Sequence, residues 1–305
     1  MKFAMACDSV VAVNSYYVRD KKVFTFDDKP YLRHHHLSNE CLMGVWNYPF
    51  LFDGYFINLQ QQPYPDEDFD VIFCAIENDI GYLNILRKTY PNAKLVGSIK
   101  EMIIPNRDVR QRLIQNTDAF VVPYISFDYY KEFNYETPSK SFKIPQPVNI
   151  DYLRNNYLVE KQNVVFDYEN YWAAGRLPRN KEVLDKIDYK VESLHTNSWE
   201  DCINSWKHCK FLFNLDTTLN VGQQAIQSAA LENIVLGGNN DAHKLLFPEL
   251  SGMDVDKIVS EFNRLVDDEK YYHSTIKYAS KKLREIYSLE SVKQQVIKLK
   301  ESLDG

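Results

Sequence analysis

Short apolar runs alternate with helical patterns along most of the chain, and this alternation limits the fold more than any other feature. Lys2–Cys7, Asp70–Ile76 (DVIFCAI), Lys94–Gly97 (KLVG) and Ala119–Val122 (AFVV) read as strands. Tyr82–Thr89 and Arg107–Asn116 read as helices, and Phe142–Pro147 as an extended piece. A second series follows Asn163. Its strands are Val164–Phe166, Tyr189–Leu194, Phe211–Leu215 and Ile234–Leu236, interleaved with helices over Lys181–Ile187, Trp199–His208 and Gly222–Glu232. From Val255 on, the pattern is mainly helical. Residues 8–65 have no clear period and predict loops and irregular strands. Two blocks of alternating strand and helix imply an α/β protein with two Rossmann-like parallel-sheet domains in tandem. The boundary falls in the IPQPVNID stretch, Pro145–Asp151. Ligands of such sheets sit outside the carboxyl ends of the strands, and the cleft that two such domains face is the expected site.

Composition narrows the function. A chain of 305 residues is near the limit of one core, which also favours two domains. Acidic residues outnumber basic ones, 42 to 36, so a global cationic footprint for nucleic acid is missing. No apolar run reaches the roughly 18 residues of a membrane span. The opening MKFAMACDSVVAV reads as a first strand, not as a signal peptide. Five scattered cysteines fit reduced thiols and a cytoplasmic location. There are only 10 glycines against 42 aromatic residues (21 Tyr, 17 Phe, 4 Trp). Neither G-x-G-x-x-G nor G-x-x-x-x-G-K-[ST] occurs, which disfavours nicotinamide dehydrogenases and P-loop enzymes.

Metal motifs are weak. No H-E-x-x-H occurs, and Cys202, His208 and Cys209 lack zinc-finger spacing and read as a helix face. His34, His35 and His36 read as an exposed triplet, and Asp66, Asp68 and Asp70 as a solvated loop. No metal ligands are assigned. The informative stretch is Phe211–Leu250. There a strand ends near Asp216, Gly222 opens a helix of small residues, and a short strand leads to Gly237 and Gly238. A helix amino terminus at Gly222 offers N–H groups and a positive dipole end to a phosphate. A plain strand–helix turn accounts for the same residues equally well.

This stretch resembles the retaining, nucleotide-sugar-dependent glycosyltransferases of family 4, which have the GT-B fold. In that family a Glu is followed three residues on by a Gly and eight residues on by a second Glu, which opens EAMAxGxPVI. Gln227–Leu236 resembles its last part, and Gly222 falls on the glycine. Leu219 and Gln227 stand where the family has its two glutamates. Lys143–Asn149 is similar to the IPNGVD segment between the domains, and Gly175-Arg176-Leu177 with Lys181 to GRL…K. Tyr287–Glu290 is similar to the start of the family's last helix, which crosses back to the first domain. The resemblance spans roughly residues 70–300 and implies three parts. Residues 1–148 form an acceptor-side domain, 149–286 a nucleotide-sugar domain, and 287–305 the returning helix.

What the resemblance implies for the residues is specific. Gln227 would hold the ribose, since an amide both donates and accepts. Arg176 with Lys181, or Arg179 in place of either, would hold the diphosphate. Asp216 takes over sugar recognition from Leu219, with Asn220, Gly222 and Gln223 beside it. The donor is a nucleoside diphosphate sugar, a UDP-sugar first, with no metal required, because cationic side chains and a helix terminus stabilise the leaving group. A retaining reaction needs no protein base. An inverting one would draw on Glu77, Asp79 or Glu101, which follow first-domain strands. Trp46, Tyr48, Phe50 and Tyr55 would shape the acceptor site. The acceptor is a glycan or lipid-linked saccharide. Alternatives are a base in DNA, or a catalytically inactive nucleotide- or sugar-binding protein. Residues 270–300 carry eight Lys or Arg against two Glu, which suits a solvated helix face or contact with an anionic surface.

Overall fold

The computed structural model describes residues 1–8, 31–33, 48–60, 62–98, 106–167, 179–193, 199–215 and 222–305. The chain divides into two compact units. One is Met1–Asn149 together with Tyr287–Gly305, and the other is Ile150–Ile286.

The first unit is built on a seven-stranded sheet. Its strands are β1 (Phe3–Cys7), β2 (Tyr31–Arg33), β3 (Tyr55–Asn58), β4 (Val71–Ala75), β5 (Lys94–Ser98), β6 (Ala119–Val122) and β7 (Ser141–Lys143). The order is β2-β3-β1-β4-β5-β6-β7. All pairings are parallel except that of edge strand β2 with β3. Met5 pairs with both Phe56 and Phe73, and Phe73 in turn with Val96. Strands β1, β3 and β4 are buried at every position, as parallel strands covered on both faces must be. That is why VIFCA is apolar without alternation.

Helices α1 (Gly81–Thr89), α2 (Arg107–Asn116) and the short α3 (Tyr129–Glu132) connect the later strands. Asn106 caps α2 by accepting the N–H of Val109. The final helix of the chain, Leu289–Asp304, is capped by Ser288, whose hydroxyl accepts the N–H of Ser291. Its Val292, Val296, Leu299 and Leu303 share one face and enter the cluster that holds Phe3, Met5, Phe73 and Val121. Lys140 Nζ donates to the carbonyl of Ser302 at 2.7 Å, and Val148 N to that of Tyr287 at 2.8 Å. The helix thus closes the first unit from the far end of the sequence.

The second unit carries a four-stranded, fully parallel sheet. It contains β8 (Gln162–Asp167), β9 (Val191–Ser193), β10 (Cys209–Phe213) and β11 (Ile234–Leu236), in the order β11-β10-β8-β9. Its helices are α4 (Ile150–Tyr157), α5 (Asn180–Leu184), α6 (Trp199–Trp206), α7 (Gln223–Leu231), α8 (Asp241–Leu246), α9 (Val255–Asp267) and α10 (Glu269–Tyr287). The final helix is α11. Residues Gln224–Leu231 of α7 are all buried, so the small side chains Ala225, Ala229 and Ala230 let this helix lie inside the unit. Glu232 ends α7 in a left-handed conformation (φ 63°), and Arg154 meets its carboxylate at 3.3 Å.

Three sequence expectations change. Residues 55–58 form a regular, buried strand, parallel to β1 and antiparallel to β2. The extended IPQPVNID stretch gives way to helix at Ile150. Cys209 opens strand β10 and does not lie on a helix face, because α6 stops at Trp206. No helix among the described residues is long and apolar enough to cross a membrane. On α10 and α11, Lys270, Lys277, Lys281 and Lys298 are exposed, while Lys282 pairs with Glu285 and Arg284 with Asp151.

Candidate functional site

The carboxyl ends of β8, β10 and β11 gather a set of buried amides. Parallel strands end with backbone groups that no ladder satisfies, so polar side chains must meet them. Asn180, the first residue of α5, is 2% exposed and does this for two strands. Its Nδ2 donates to Asp167 Oδ1 at 2.6 Å and to the Phe213 carbonyl at 3.1 Å, and its Oδ1 accepts the N–H of Leu215 at 2.8 Å. Asn214 follows β10. Its N–H bonds the carbonyl of Leu236 at 3.0 Å, and its side-chain amide donates to Gln224 Oε1. Gln224 Nε2 is buried and has no partner among the described residues. Such a donor costs about 1–3 kcal/mol if nothing meets it.

Gly222 starts α7 with φ +75°, and no side chain of the described residues caps this helix. A Cβ at this position would collide with Asn240 Oδ1 and lie 2.7 Å from the Cβ of Ala242. Asn240 is fixed in turn, because Oδ1 accepts the N–H of His243 at 3.0 Å and caps α8. Gly238 (φ +86°) lets the chain after β11 pass His243, whose Nδ1 would be 2.7 Å from a Cβ there. Only glycine reconciles this close packing with the left-handed backbone. The result is a helix amino terminus at the end of a parallel sheet, followed by the buried amides Gln224 and Gln227, which are 8% and 7% exposed.

The expected donor residues divide. Gly222, Gln223 and Gln227 lie in the first two turns of α7, with Gln223 half-buried. Arg179 and Lys181 lie at the start of α5. Arg179 is committed to its neighbours. Nε and Nη2 meet Glu182 at 2.9 and 2.7 Å, and Nη1 donates to the Met253 carbonyl at 3.0 Å. The Glu182 carboxylate raises the Arg179 pKa and is itself held below the usual carboxylate range. Lys181 is 84% exposed and pairs at 2.9 Å with Asp185, itself 61% exposed, so solvent leaves the pair weak. Its ammonium is the more mobile cation. Arg176, Asp216, Asn220 and Leu219 lie outside the described residues.

In the first unit, Glu77 and Asp79 follow β4, and what organises their loop is Asp8. This carboxylate, fully buried after β1, accepts three backbone N–H groups. Glu77 donates at 2.8 Å to Oδ1, and Asn78 and Asp79 donate at 2.7 and 2.9 Å to Oδ2. Glu77 is half-buried, and Asp79 is exposed, with Oδ1 accepting the N–H of Gly81 at 2.8 Å. Glu101, Trp46 and the His34–His36 triplet lie outside the described residues. Tyr48 is fully buried and donates to the Ile144 carbonyl at 2.5 Å, and Tyr55 donates to Glu67 at 2.9 Å, so both have partners in the core.

No family model and no curated protein matches the chain. Solved structures do. Sucrose-phosphate synthase from Thermosynechococcus elongatus superposes with a TM-score of 0.62 at 11% identity, covering 100% of this chain and 99% of that one. HepE of Anabaena, solved in complex with UDP, gives 0.58 at 11% identity over 99% and 100%. The N-terminal domain of Candida albicans trehalose-6-phosphate phosphatase gives 0.56 at 10% identity over 79% and 73%. The fold is GT-B. At such identities the likeness concerns fold alone, and the GT-B chain's chemistry rests on its own residues.

Asn180, Asn214, Gln224, Asn240 and Asp8 were not singled out from sequence. A signal existed for two of them. Asp8 and Asn214 are polar residues that follow apolar runs, FAMAC and the FLF of β10, at the strand ends where α/β sheets place their sites.

Proposed function

We propose that this chain is a glycosyltransferase that moves a sugar from a nucleoside diphosphate donor, a UDP-sugar first, to a saccharide or lipid-linked acceptor. The observation that carries this is the amino terminus of α7. Gly222 leaves no room for a side chain, no described side chain caps the helix, and the buried amides of Gln224 and Gln227 follow within two turns. The positive end of the helix dipole suits a diphosphate, and amides suit the hydroxyls of a ribose. In this reading Gln227 holds the ribose, and Lys181 with Arg176 reaches the phosphates. Arg179 does so only on leaving Glu182. Asp216, Asn220 and Gln223 face the sugar. Charge developing on the leaving diphosphate is met by these donors without a metal. The reaction retains configuration. An inverting outcome would require a first-unit carboxylate, Glu77, Asp79 or Glu101. The likeness of the whole chain to HepE, solved with UDP, supports the choice of nucleotide.

The test is a panel of UDP-, GDP- and ADP-sugars, read by thermal shift and by slow donor hydrolysis. A donor at a hundred times its Kd adds about 2.7 kcal/mol to the folded state. At about 2–4 °C per kcal/mol, that is a readable shift. Stabilisation by one nucleotide class with release of the free nucleotide is expected. No stabilisation by any nucleotide rejects the reading. Stabilisation without turnover, even with saccharide acceptors, identifies a binding protein instead.

A further inference from the structure

We infer that Glu192, His208 and Cys209 form a zinc site on the second sheet, between β9 and the start of β10. The three residues come from different elements: Glu192 from β9, His208 from the turn after α6, and Cys209 from the first position of β10. Their ligand atoms lie within 4.8 Å of one another. His208 Nε2 is 2.9 Å from Glu192 Oε2 and 3.7 Å from Cys209 Sγ. A thiol, an imidazole and a carboxylate converging on one point are a borderline-soft donor set that suits zinc among the divalent cations.

The distances agree with coordination. Zinc ligands sit about 2.0–2.3 Å from the metal, so neighbours at tetrahedral angles are roughly 3.3–3.7 Å apart. The sulfur–nitrogen separation already meets this. The nitrogen–oxygen pair has only to open by about 0.4 Å as the metal takes the place of the proton it now shares. The fourth position is left for water. The His208 and Glu192 side chains are 25% and 33% exposed, so an ion can enter from solvent although Cys209 is fully buried.

The surroundings hold the carboxylate ready as an anion, while the thiol ionises only on binding. Lys190 donates to the second oxygen of Glu192 at 2.6 Å and orients the carboxylate without occupying Oε2. The hydrogen bonds from Lys190 and His208 hold Glu192 below the usual carboxylate range. Burial pushes the Cys209 thiol up to about 12, so the metal-free protein carries the thiol. Zinc entry then forms the Zn–S bond and releases the thiol proton to the buffer. One thiolate and one carboxylate balance the divalent ion and offset its repulsion by Lys190 and Lys161. The site ties edge strand β9 to β10 across β8. None of its three ligands is among the residues proposed to hold the donor, so its role is to staple the fold. Spacing rules miss it because two ligands are adjacent in sequence and the third lies on a non-neighbouring strand.

The experiment uses the full chain, stripped of metal by a chelator and titrated with zinc chloride against a chromophoric competitor, then with cobalt(II). One equivalent of zinc is expected, with proton release, a raised Tm and a thiolate-to-cobalt charge-transfer band. Cys209→Ser abolishes that band. Cys209 is buried, so His208→Gln at the partly exposed position provides a variant with less risk to folding. Each should weaken zinc binding by more than about 100-fold, beyond what loss of an outer partner costs. Zinc affinity unchanged in both variants overturns the site. So does a cobalt complex without the thiolate band, or binding lost only when His34–His36 are replaced.

Discussion

Gly222 packs directly against Asn240, so that the left-handed turn opening α7 and the cap of α8 occupy the same space. One residue's lack of a side chain is what lets the other's oxygen reach the N–H of His243. Gly222→Ala should be costly for two separable reasons. A left-handed backbone costs a non-glycine residue about 1–2 kcal/mol. The Cβ also overpacks against Asn240 and Ala242, typically another 1–3 kcal/mol or so. Urea unfolding should show a loss of about 2–5 kcal/mol, with weaker nucleotide binding. A variant as stable as the parent would show that the turn relaxes freely and is no rigid cradle.

The Asp8 carboxylate plays the matching part in the first unit. Asp8→Asn keeps the shape but turns one acceptor oxygen into a donor that faces N–H groups. Hydrogen bonds to a charged acceptor are worth about 1.5–3 kcal/mol each. Two of the three involve Oδ2, so a loss of about 3–6 kcal/mol is expected in urea unfolding if the amide places its nitrogen there. Nucleotide affinity, which the proposed function assigns to the second unit, should stay within a factor of two or so of the parent. A large fall in nucleotide affinity with unchanged stability would contradict this division of labour.

How much of this was legible beforehand follows from residue chemistry. Strands β4 and β6 are buried on both faces, so VIFCA and AFVV announce themselves by continuous apolarity. Helix α2 begins at an Asn cap, and α7 follows a lone glycine, both local signals. Strand β3 is fully buried and yet hard to read, because YFIN is four residues long and too short to display a period. Helix α4 was hidden behind two prolines that read as an extended linker. For the proposed site, Gly222 and Gln227 stand out in the sequence because a motif surrounds them. Asn180 does not, because its role depends on carbonyl and N–H groups 33 and 35 residues away. Amides that clip strand ends carry no local pattern.

Lys161 offers a pH test. Burial lowers its pKa from an ordinary 10.5 to about 8, against the attraction of the Glu232 carboxylate and of Cys209. Its ammonium is held by the Lys207 carbonyl and by Asn233 Oδ1 at 3.2 Å. For a lysine whose folded pKa is depressed, the unfolded chain binds more protons between the two values. Stability therefore rises with pH across about 8 to 10.5. Below pH 8 both states are protonated, and the burial cost, on the order of 2–4 kcal/mol, is fully present. Lys161→Met, in chelator-treated protein, should remove that slope. The difference in unfolding free energy between parent and variant should change in the parent's favour as pH rises from 7 to 10. Parallel pH profiles would show that Lys161 is as well solvated folded as unfolded.

Gln227 decides the donor site. It stands where the resembled family has a glutamate, on a helix buried at every position from Gln224 to Leu231, and is 7% exposed. If its amide meets ribose hydroxyls, truncation leaves those hydroxyls unpaired in a dry site. Gln227→Ala should then weaken UDP binding by about 1–3 kcal/mol, roughly 5- to 150-fold, measured by calorimetry. A merely structural role would instead lower Tm without changing the affinity of the folded fraction, which makes Tm the necessary companion reading. Gln227→Glu separates the two further. A carboxylate accepts from two ribose hydroxyls at once, so this variant should keep or tighten UDP affinity even though burying its charge lowers Tm. Loss of UDP affinity in the Ala variant, with retention in the Glu variant, places the ribose at this residue. Affinity unchanged in both removes Gln227 from the donor site and leaves the amino terminus of α7 to act through its backbone alone.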